Sequence, residues 1–203
     1  MNKLCVLIDN GHGVDTPGKR SPDGRLLEWK WTREFAKLLS EKLTQIGISN
    51  VLLVTEDKDV SLKSRCEREK AISNNLKSNG LDTIFISIHV NAGPKNEWSN
   101  ASGVTVHVYE KGSAKSKKLG AIYSDYTKKM KLTGNRYIPQ SGYFPCNFYV
   151  CKNTSSPAIL VEHMFMTNKD DVEYLLSDKG KNDLIQLHIN SILEYMKIYS
   201  YNG

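Results

Sequence analysis

The chain has 203 residues, of which 39% are hydrophobic and 25% are charged, and it carries a formal net charge of +6. This composition is typical of one globular domain that forms its core without disulfides or structural metals, and it excludes disordered and fibrous proteins. No segment approaches the roughly 20 apolar residues that cross a bilayer, and the N-terminus lacks the apolar core and cleavage site of a signal peptide, so we expect no membrane insertion.

Five apolar runs rich in β-branched residues have the length of buried strands. They cover residues 3–9, 51–55, 82–88, 103–109 and 157–162. Helical periodicity covers residues 26–46, 61–79, 113–130 and 183–199, and residues 131–154 show no regular pattern. The alternation of strands and helices predicts an α/β fold: a single domain with a twisted, mostly parallel or mixed central sheet of about six strands and helices on both faces.

The positive charge favours anionic partners without choosing among them. Lysines cluster between Lys111 and Lys131, a pattern typical of a solvated helix face, so we predict no nucleic-acid partner. The four cysteines lack the close spacing of structural zinc sites. Cys146 and Cys151 are near enough in sequence to meet across a turn, and their pairing is left open.

Four residues with metal-binding or proton-transfer chemistry come at or near strand ends. His12 follows the first predicted strand, His89 follows the third, Glu162 ends the fifth, and Glu28 lies early in the first helix. Each residue alone is typical of a structural role, but open α/β sheets bind ligands beyond the carboxyl ends of their strands, where these four can converge. Two imidazoles and one carboxylate suit catalytic zinc, and the other carboxylate is then free to take a proton. The glycines beside His12 are expected to give its turn backbone freedom.

Several motifs follow one another in a recognisable order: VLIDNGHG, SLKSR, DTIFISIHVNAG, SGVTVHVY and PAILVEHMFMTN. Along nearly its whole length the chain resembles the zinc-dependent N-acetylmuramoyl-L-alanine amidases of type 3. That family shows an Asp-x-Gly-His-Gly opening, a glutamate early in the first helix, a Ser-Ile-His-x-Asn-Ala segment and a late Leu-Val-Glu strand. By matching position, the resemblance implies that His12, Glu28 and His89 bind zinc and that Glu162 is the catalytic glutamate. It also implies a twisted mixed sheet wrapped by helices.

The resemblance implies hydrolysis of the amide between the lactyl group of N-acetylmuramic acid and L-alanine of the peptidoglycan stem peptide. The cofactor is then Zn²⁺, and the substrate is peptidoglycan or a muramyl-peptide. We expect one catalytic amidase domain over residues 1–203, without a separate wall-binding domain, acting as a monomer at the bacterial cell wall. The missing signal peptide fits an endolysin made in the cytoplasm or an exported enzyme whose leader has been trimmed. A zinc peptidase acting within the stem peptide and a catalytically silent wall-binding module remain as alternatives.

Weaker candidates surround the four main ones. Asp9 is predicted either to orient a ligand imidazole or to stabilise the turn that carries His12, and His163 is predicted to pack or hydrogen-bond behind the site. Asn91, Tyr143 and Phe144 are predicted to contact substrate, because polar and aromatic side chains on loops beside a site can bind sugars and peptides.

Two positions differ from the family's usual pattern. Met164 stands where the family usually has a glycine, in the segment after the catalytic glutamate. Glu56 stands where an arginine often follows the second strand. Neither position is one of the four proposed site residues.

Overall fold

A six-stranded sheet forms the centre of the computed structural model, which describes residues 3–95 and 97–201. The strands are β1 Leu4–Asn10, β2 Ser49–Leu52, β3 Asp82–Asn91, β4 Thr105–Tyr109, β5 Phe144–Cys146 and β6 Ala158–Phe165. The helices are α1 Glu28–Gln45, α2 Leu62–Ser78, α3 Ala114–Lys129, α4 Tyr149–Asn153, α5 Lys169–Leu176 and α6 Asp178–Ile198.

The sheet is mixed, with the strand order β2-β1-β3-β6-β4-β5. β2, β1, β3 and β6 are parallel to one another, whereas β4 runs antiparallel to β6 and parallel to β5. β4 reverses direction because the described residues that join it to β3, 92–95 and 97–104, form no crossover helix. The predicted α/β fold is therefore confirmed, but strict alternation of strands and helices is wrong at this connection.

The two faces of the sheet pack against different helices. Val6 and Ile8 of β1 belong to a core cluster with residues of α1, α3 and α6. Cys5 and Leu7 point to the other face and pack with residues of α2 and α4. Asp9 continues this second row, because alternate residues of a strand share a face. The second face therefore carries the polar side chains at the carboxyl end of the sheet.

The short elements are not predicted from the sequence patterns. β5 and α4 lie within residues 131–154, and α5 precedes the last predicted helix. α6 begins at Asp178, ahead of the predicted start at residue 183, because Ser177 caps it by accepting a hydrogen bond from the Gly180 N–H at 2.9 Å. β3 extends to Asn91, so His89 lies inside the strand rather than after it.

Two further predictions concern membranes and thiols. Within the described ranges, no helix combines the length and the apolar character that crossing a bilayer requires. The four cysteines are free thiols, Cys146 and Cys151 included.

Candidate metal centre

His12 lies on a tight turn directly after β1. Its φ is +63°, in the left-handed region that histidine enters more readily than most other residues. A Cβ added to Gly11 would lie 2.2 Å from His89 Cε1, and one added to Gly13 would lie 2.0 Å from the backbone N of Asp59. The expectation of backbone freedom at these glycines is therefore wrong. They are small so that neighbouring groups can approach, and His12 itself takes the unusual conformation.

Glu28 is the first residue of α1, and its buried carboxylate joins the two histidines. Its Oε1 lies 3.1 Å from His89 Nδ1 and 3.4 Å from His12 Nε2. The same oxygen accepts a hydrogen bond from the Val90 N–H at 3.0 Å. Burial by itself raises the pKa of Glu28, but hydrogen bonds from His12 and His89 outweigh it and bring the pKa to about 2. Glu28 therefore stays ionised at neutral pH.

The chemistry of these three side chains fits a divalent metal ion. Each offers one ligand atom, and the three atoms lie within 4.8 Å of one another. Glu28 Oε2 is buried and has no hydrogen-bond partner among the described residues, so a lone pair that is costly to bury unpaired is available to a cation. Two imidazoles and a carboxylate form a ligand set that catalytic zinc sites use with one position left open. The fold thus brings together three residues that the sequence predicts as ligands.

Glu162 lies beside this cluster, on the neighbouring strand. It is paired in register with His89, because β6 runs parallel to β3. Its Oε2 is buried and without a hydrogen-bond partner in the part of the chain that the structure describes. Burial and the Glu28 charge raise the pKa of Glu162 to about 7, against the opposing charges of His89 and Lys19. A carboxyl group with a pKa near neutrality can both accept and release a proton at physiological pH.

A cavity of about 490 Å³ lies over these residues, and we call it the metal-site cavity. His12, Glu28, His89 and Glu162 all line it. The rest of its wall includes Lys19, Leu62, Val90, Asn91, Ala92, Gly93, Phe148, Tyr149, Val150 and Leu160. The cavity thus combines a compact group of metal-binding and proton-transfer residues with a wall that is largely apolar.

The aromatic segment before β6 reaches this cavity through residues other than those predicted. Tyr143 and Phe144 are not among the described residues that line it. Tyr143 packs against α3, and the Phe144 ring lies 5.4 Å from the ring of His107. Phe148 and Tyr149, at the start of α4, line the cavity and are 41% and 43% exposed. Residues 144–146 form strand β5 and are part of the sheet, so the residues that follow them reach the cavity instead.

Comparison with known proteins decides the family. A family model described as N-acetylmuramoyl-L-alanine amidase matches residues 6–194. The chain belongs to this amidase family. It is 29% identical over 209 residues to the endolysin of Bacillus phage SPP1. The alignment covers 100% of this chain and 69% of the endolysin. It is also 29% identical over 195 residues to the probable cell wall amidase LytH of Staphylococcus epidermidis. That alignment covers 96% of this chain and 57% of LytH.

A solved structure agrees with this assignment. The N-acetylmuramoyl-L-alanine amidase of Clostridium difficile 630 is 26% identical, with a TM-score of 0.79 over 97% of this chain and 98% of that chain. The resemblance seen in the sequence is therefore confirmed at the level of both family and fold. The curated relatives are longer than their aligned part, so this chain corresponds to an amidase domain within them.

Asp9 contacts an arginine rather than a ligand imidazole, so of its two predicted roles the contacts fit the one in the turn. Its carboxylate accepts hydrogen bonds from Arg65 Nη1 at 2.7 Å and from Ser87 Oγ at 2.6 Å. Arg65 is 1% exposed and also donates to the carbonyl oxygens of Asn10, at 2.6 Å, and His12, at 3.4 Å. The guanidinium group therefore holds the backbone of the turn that carries His12. Arg65 ends the SLKSR motif, but nothing in the sequence pattern of α2 marks it as buried.

Replacing Arg65 with methionine is expected to lower the free energy of unfolding by about 3–5 kcal/mol, because it leaves the Asp9 charge buried without its partner. Urea denaturation of the variant measures this loss. Arg68→Met is the matched control on the same helix: Arg68 pairs with Glu56 at the surface, where an ion pair contributes about 1 kcal/mol or less. Equal losses in the two variants would contradict the role given to Arg65.

His163 supports the site from the opposite face of the sheet. Its Nδ1 lies 3.0 Å from the backbone oxygen of His89, and its Nε2 lies 2.8 Å from Nε2 of His188. Since a carbonyl oxygen only accepts, His163 donates from Nδ1 and accepts at Nε2, so His188 donates from its Nε2. The Tyr123 hydroxyl, 3.0 Å from Nδ1 of His188, then donates to it. This chain fixes the strand that carries His89 and requires both buried imidazoles to be neutral.

Acid is expected to destabilise the fold through His163. Burial lowers the pKa of His163 from 6.5 to about 4. The unfolded chain therefore binds the extra proton first, and the stability contributed by the neutral imidazole is lost as pH falls from 6.5 to 4. The loss attributable to His163 between pH 7 and pH 4 is about 3 kcal/mol.

Urea denaturation at both pH values, with a chelator present, compares the wild type with His163→Gln. Glutamine keeps a polar side chain but cannot titrate, so the variant is expected to lose less stability in acid. The same pH dependence in both proteins would show that His163 is not the titrating group.

Met164, which stands where the family usually has a glycine, adopts a backbone conformation that favours glycine. Its φ is +59°, and it lies in a β-bulge. His89 pairs with Glu162 and Asn91 pairs with Phe165, so two residues of β6 stand opposite one of β3. The Met164 side chain is 6% exposed and packs in the core, which offsets part of the cost of this conformation. The bulge beside Glu162 is thus retained without glycine.

Glu56 stands where the family often has an arginine, and arginines from two helices reach the same loop. Its carboxylate pairs with Arg68 of α2. Its carbonyl oxygen accepts a hydrogen bond from Arg33 Nε of α1 at 2.8 Å. The loop after β2 is therefore still fixed by guanidinium groups, which come from other positions in the chain.

Proposed function

We propose that this chain hydrolyses the amide between the lactyl carbonyl of N-acetylmuramic acid and L-alanine of the peptidoglycan stem peptide, with zinc as its metal. One observation carries the proposal. The cluster of His12, Glu28 and His89 shares a cavity with Glu162, whose carboxyl group has an oxygen without a hydrogen-bond partner among the described residues. Membership of the amidase family indicates which bond this arrangement of residues hydrolyses. We infer that the chain acts at the bacterial cell wall, where this substrate occurs.

His12, Glu28 and His89 are the residues that would hold the metal. Zinc in such a site polarises the scissile carbonyl and lowers the pKa of its water towards neutrality. The interaction of His12 and His89 with the Glu28 carboxylate keeps their ring nitrogens facing one point. The His12 turn, held by Arg65, and β3, held by His163, keep the two imidazoles from separating.

Glu162 is proposed to move the protons of the reaction. Its carboxylate takes a proton from the attacking water and returns it to the nitrogen of the departing L-alanine. The lactyl acid then gives the second proton of the water to the released α-amino group. The products are the lactyl carboxylate and a peptide with an α-ammonium group, so atoms and charges balance. Glu162 suits both steps because its carboxyl is buried in the same cavity as the proposed metal ligands and has an oxygen without a partner among the described residues.

Aromatic and polar residues on the cavity wall are proposed to contact the substrate. Phe148 and Tyr149 offer exposed ring surface on one side. Asn91 lines the cavity at the end of β3, where its Nδ2 lies 3.4 Å from Thr105 Oγ1 and its Oδ1 accepts a hydrogen bond from the Ala92 N–H at 2.8 Å. Asn91 thus stays a proposed substrate contact, and we assign the aromatic contacts to Phe148 and Tyr149.

Mass spectrometry of the products from a muramyl-pentapeptide tests the proposal. The expected products are N-acetylmuramic acid and the intact pentapeptide with an N-terminal L-alanine. Fragments cut within the peptide would replace this proposal with the zinc peptidase alternative. Binding of the substrate without any cleavage, in zinc-loaded protein, would favour the silent wall-binding module.

A further inference from the structure

Lys19 is the one lysine or arginine among the described residues that line the metal-site cavity. Its side chain is exposed, and it forms no hydrogen bond or ion pair within the described part of the chain. It lines the same cavity as Glu28 and Glu162, and its charge is one of those that lower the pKa of Glu162. An unpaired cation beside two carboxylates is therefore available to an anionic group of a ligand.

The backbone fixes the position of Lys19 relative to the metal ligands. The Lys19 carbonyl oxygen accepts a hydrogen bond from the N–H of Glu28 at 2.9 Å. The next residue, Arg20, forms a bridge with Leu27 just before α1. Lys19 is thus attached to the first turn of the helix that presents Glu28. The Lys19 backbone therefore stays fixed, while the flexible side chain lets the ammonium group adjust its position to a ligand.

The rest of the cavity offers little else to a carboxylate of the substrate. Its carboxyl groups, Glu28 and Glu162, repel an anion, and Phe148 and Tyr149 are not cationic. A peptide carboxylate beyond the metal ligands therefore pairs with Lys19 or stays in solvent. The α-carboxyl of the second stem residue lies about 4–7 Å along the chain from the scissile amide, since an extended residue spans at most about 3.6 Å.

We propose that Lys19 binds a carboxylate of the stem peptide close to the scissile amide. The chain then prefers muramyl-peptides whose second residue, D-glutamate, has a free α-carboxylate over those in which this group is an amide. The inference rests on the proposed amidase function and adds a preference for a substrate with a negative charge at this position. The ion pair is partly solvated, so we expect a preference of about three- to tenfold in kcat/KM.

The test measures kcat/KM on two N-acetylmuramoyl tripeptides, L-Ala-γ-D-Glu-L-Lys and its D-isoglutamine counterpart. They differ only in the α-carboxyl group of the second residue, because the third residue occupies the γ-carboxyl in both. The wild type is expected to prefer the carboxylate, Lys19→Gln to lose the preference, and Lys19→Glu to invert it. Lys30→Gln is the control, because Lys30 is an exposed lysine of α1 outside this cavity and its variant should keep the wild-type ratio. The ratio is taken within one protein sample, so partial misfolding does not change it.

The outcomes separate this inference from the function on which it rests. A wild type that cleaves both compounds at the lactyl–alanine bond with equal kcat/KM, or a Lys19→Gln variant with the wild-type ratio, overturns the role of Lys19 alone. A zinc-loaded wild type that cleaves neither compound at that bond overturns the proposed function. Raising the salt concentration to about 1 M, where the Debye length is about 3 Å, is expected to shrink the wild-type preference.

Discussion

Glu162→Gln is expected to reduce amide hydrolysis by about 10²–10⁴-fold, which is what a positioned general acid and base contributes. Glutamine has nearly the same shape as glutamate but cannot accept the proton of the attacking water. Because the metal ligands in this account are His12, Glu28 and His89, the variant is expected to bind zinc as tightly as the wild type. Single-turnover hydrolysis and zinc content are measured on the same preparation.

Two results would contradict the role given to Glu162. Loss of zinc from Glu162→Gln would show that this carboxylate is a ligand, and a wild-type rate would show that another group moves the proton. Glu34→Gln is the matched control, since Glu34 is an exposed glutamate on α1 that does not line the metal-site cavity. It should change neither the rate nor the zinc content.

His89→Ala is expected to remove both zinc and activity. The variant loses one of three ligand atoms. It also loses the hydrogen bond between His89 Nδ1 and Glu28 Oε1. Loss of a hydrogen bond to a ligand already lowers metal affinity by about 10–100-fold, and loss of the ligand itself is expected to cost more. Competition against a chromophoric chelator measures the affinity, and His12→Ala should behave in the same way.

A histidine outside the cluster provides the control for this experiment. His107 lies on β4 with its ring 5.4 Å from the Phe144 ring, and it is not one of the three grouped ligands. His107→Ala should therefore retain zinc. A His89→Ala protein that binds zinc with wild-type affinity would contradict the proposed ligand set.

The long elements of this fold are evident in the sequence, and the short ones are not. β1, β3 and β6 are continuous apolar runs, and α1 carries an apolar stripe, so periodicity alone predicts them. β5 has three residues and α4 has five, which is less than the span over which a period can be read. The antiparallel direction of β4 depends on the path of a loop, and apolar patterning carries no information about that path.

The convergence of His12, His89 and Glu162 was predictable because parallel strands end at one edge of the sheet, where His89 and Glu162 are direct neighbours. The roles proposed for them and for Glu28 come from the resemblance to the family. The supporting residues were not predictable. Arg65 reads as a charged residue of α2, and only the tertiary fold shows it buried against Asp9. The role of Gly11 is likewise a matter of distance to another strand, since the His89 ring occupies the space of its missing side chain.

The most direct test of the account measures zinc occupancy and hydrolysis of the lactyl–alanine amide together, as chelated protein is titrated with zinc. The account predicts that activity is absent without metal, rises in proportion to occupancy and reaches its maximum at about one zinc per chain. Hydrolysis that persists in fully chelated protein, or zinc binding at the cluster that brings no cleavage at this bond, would contradict it.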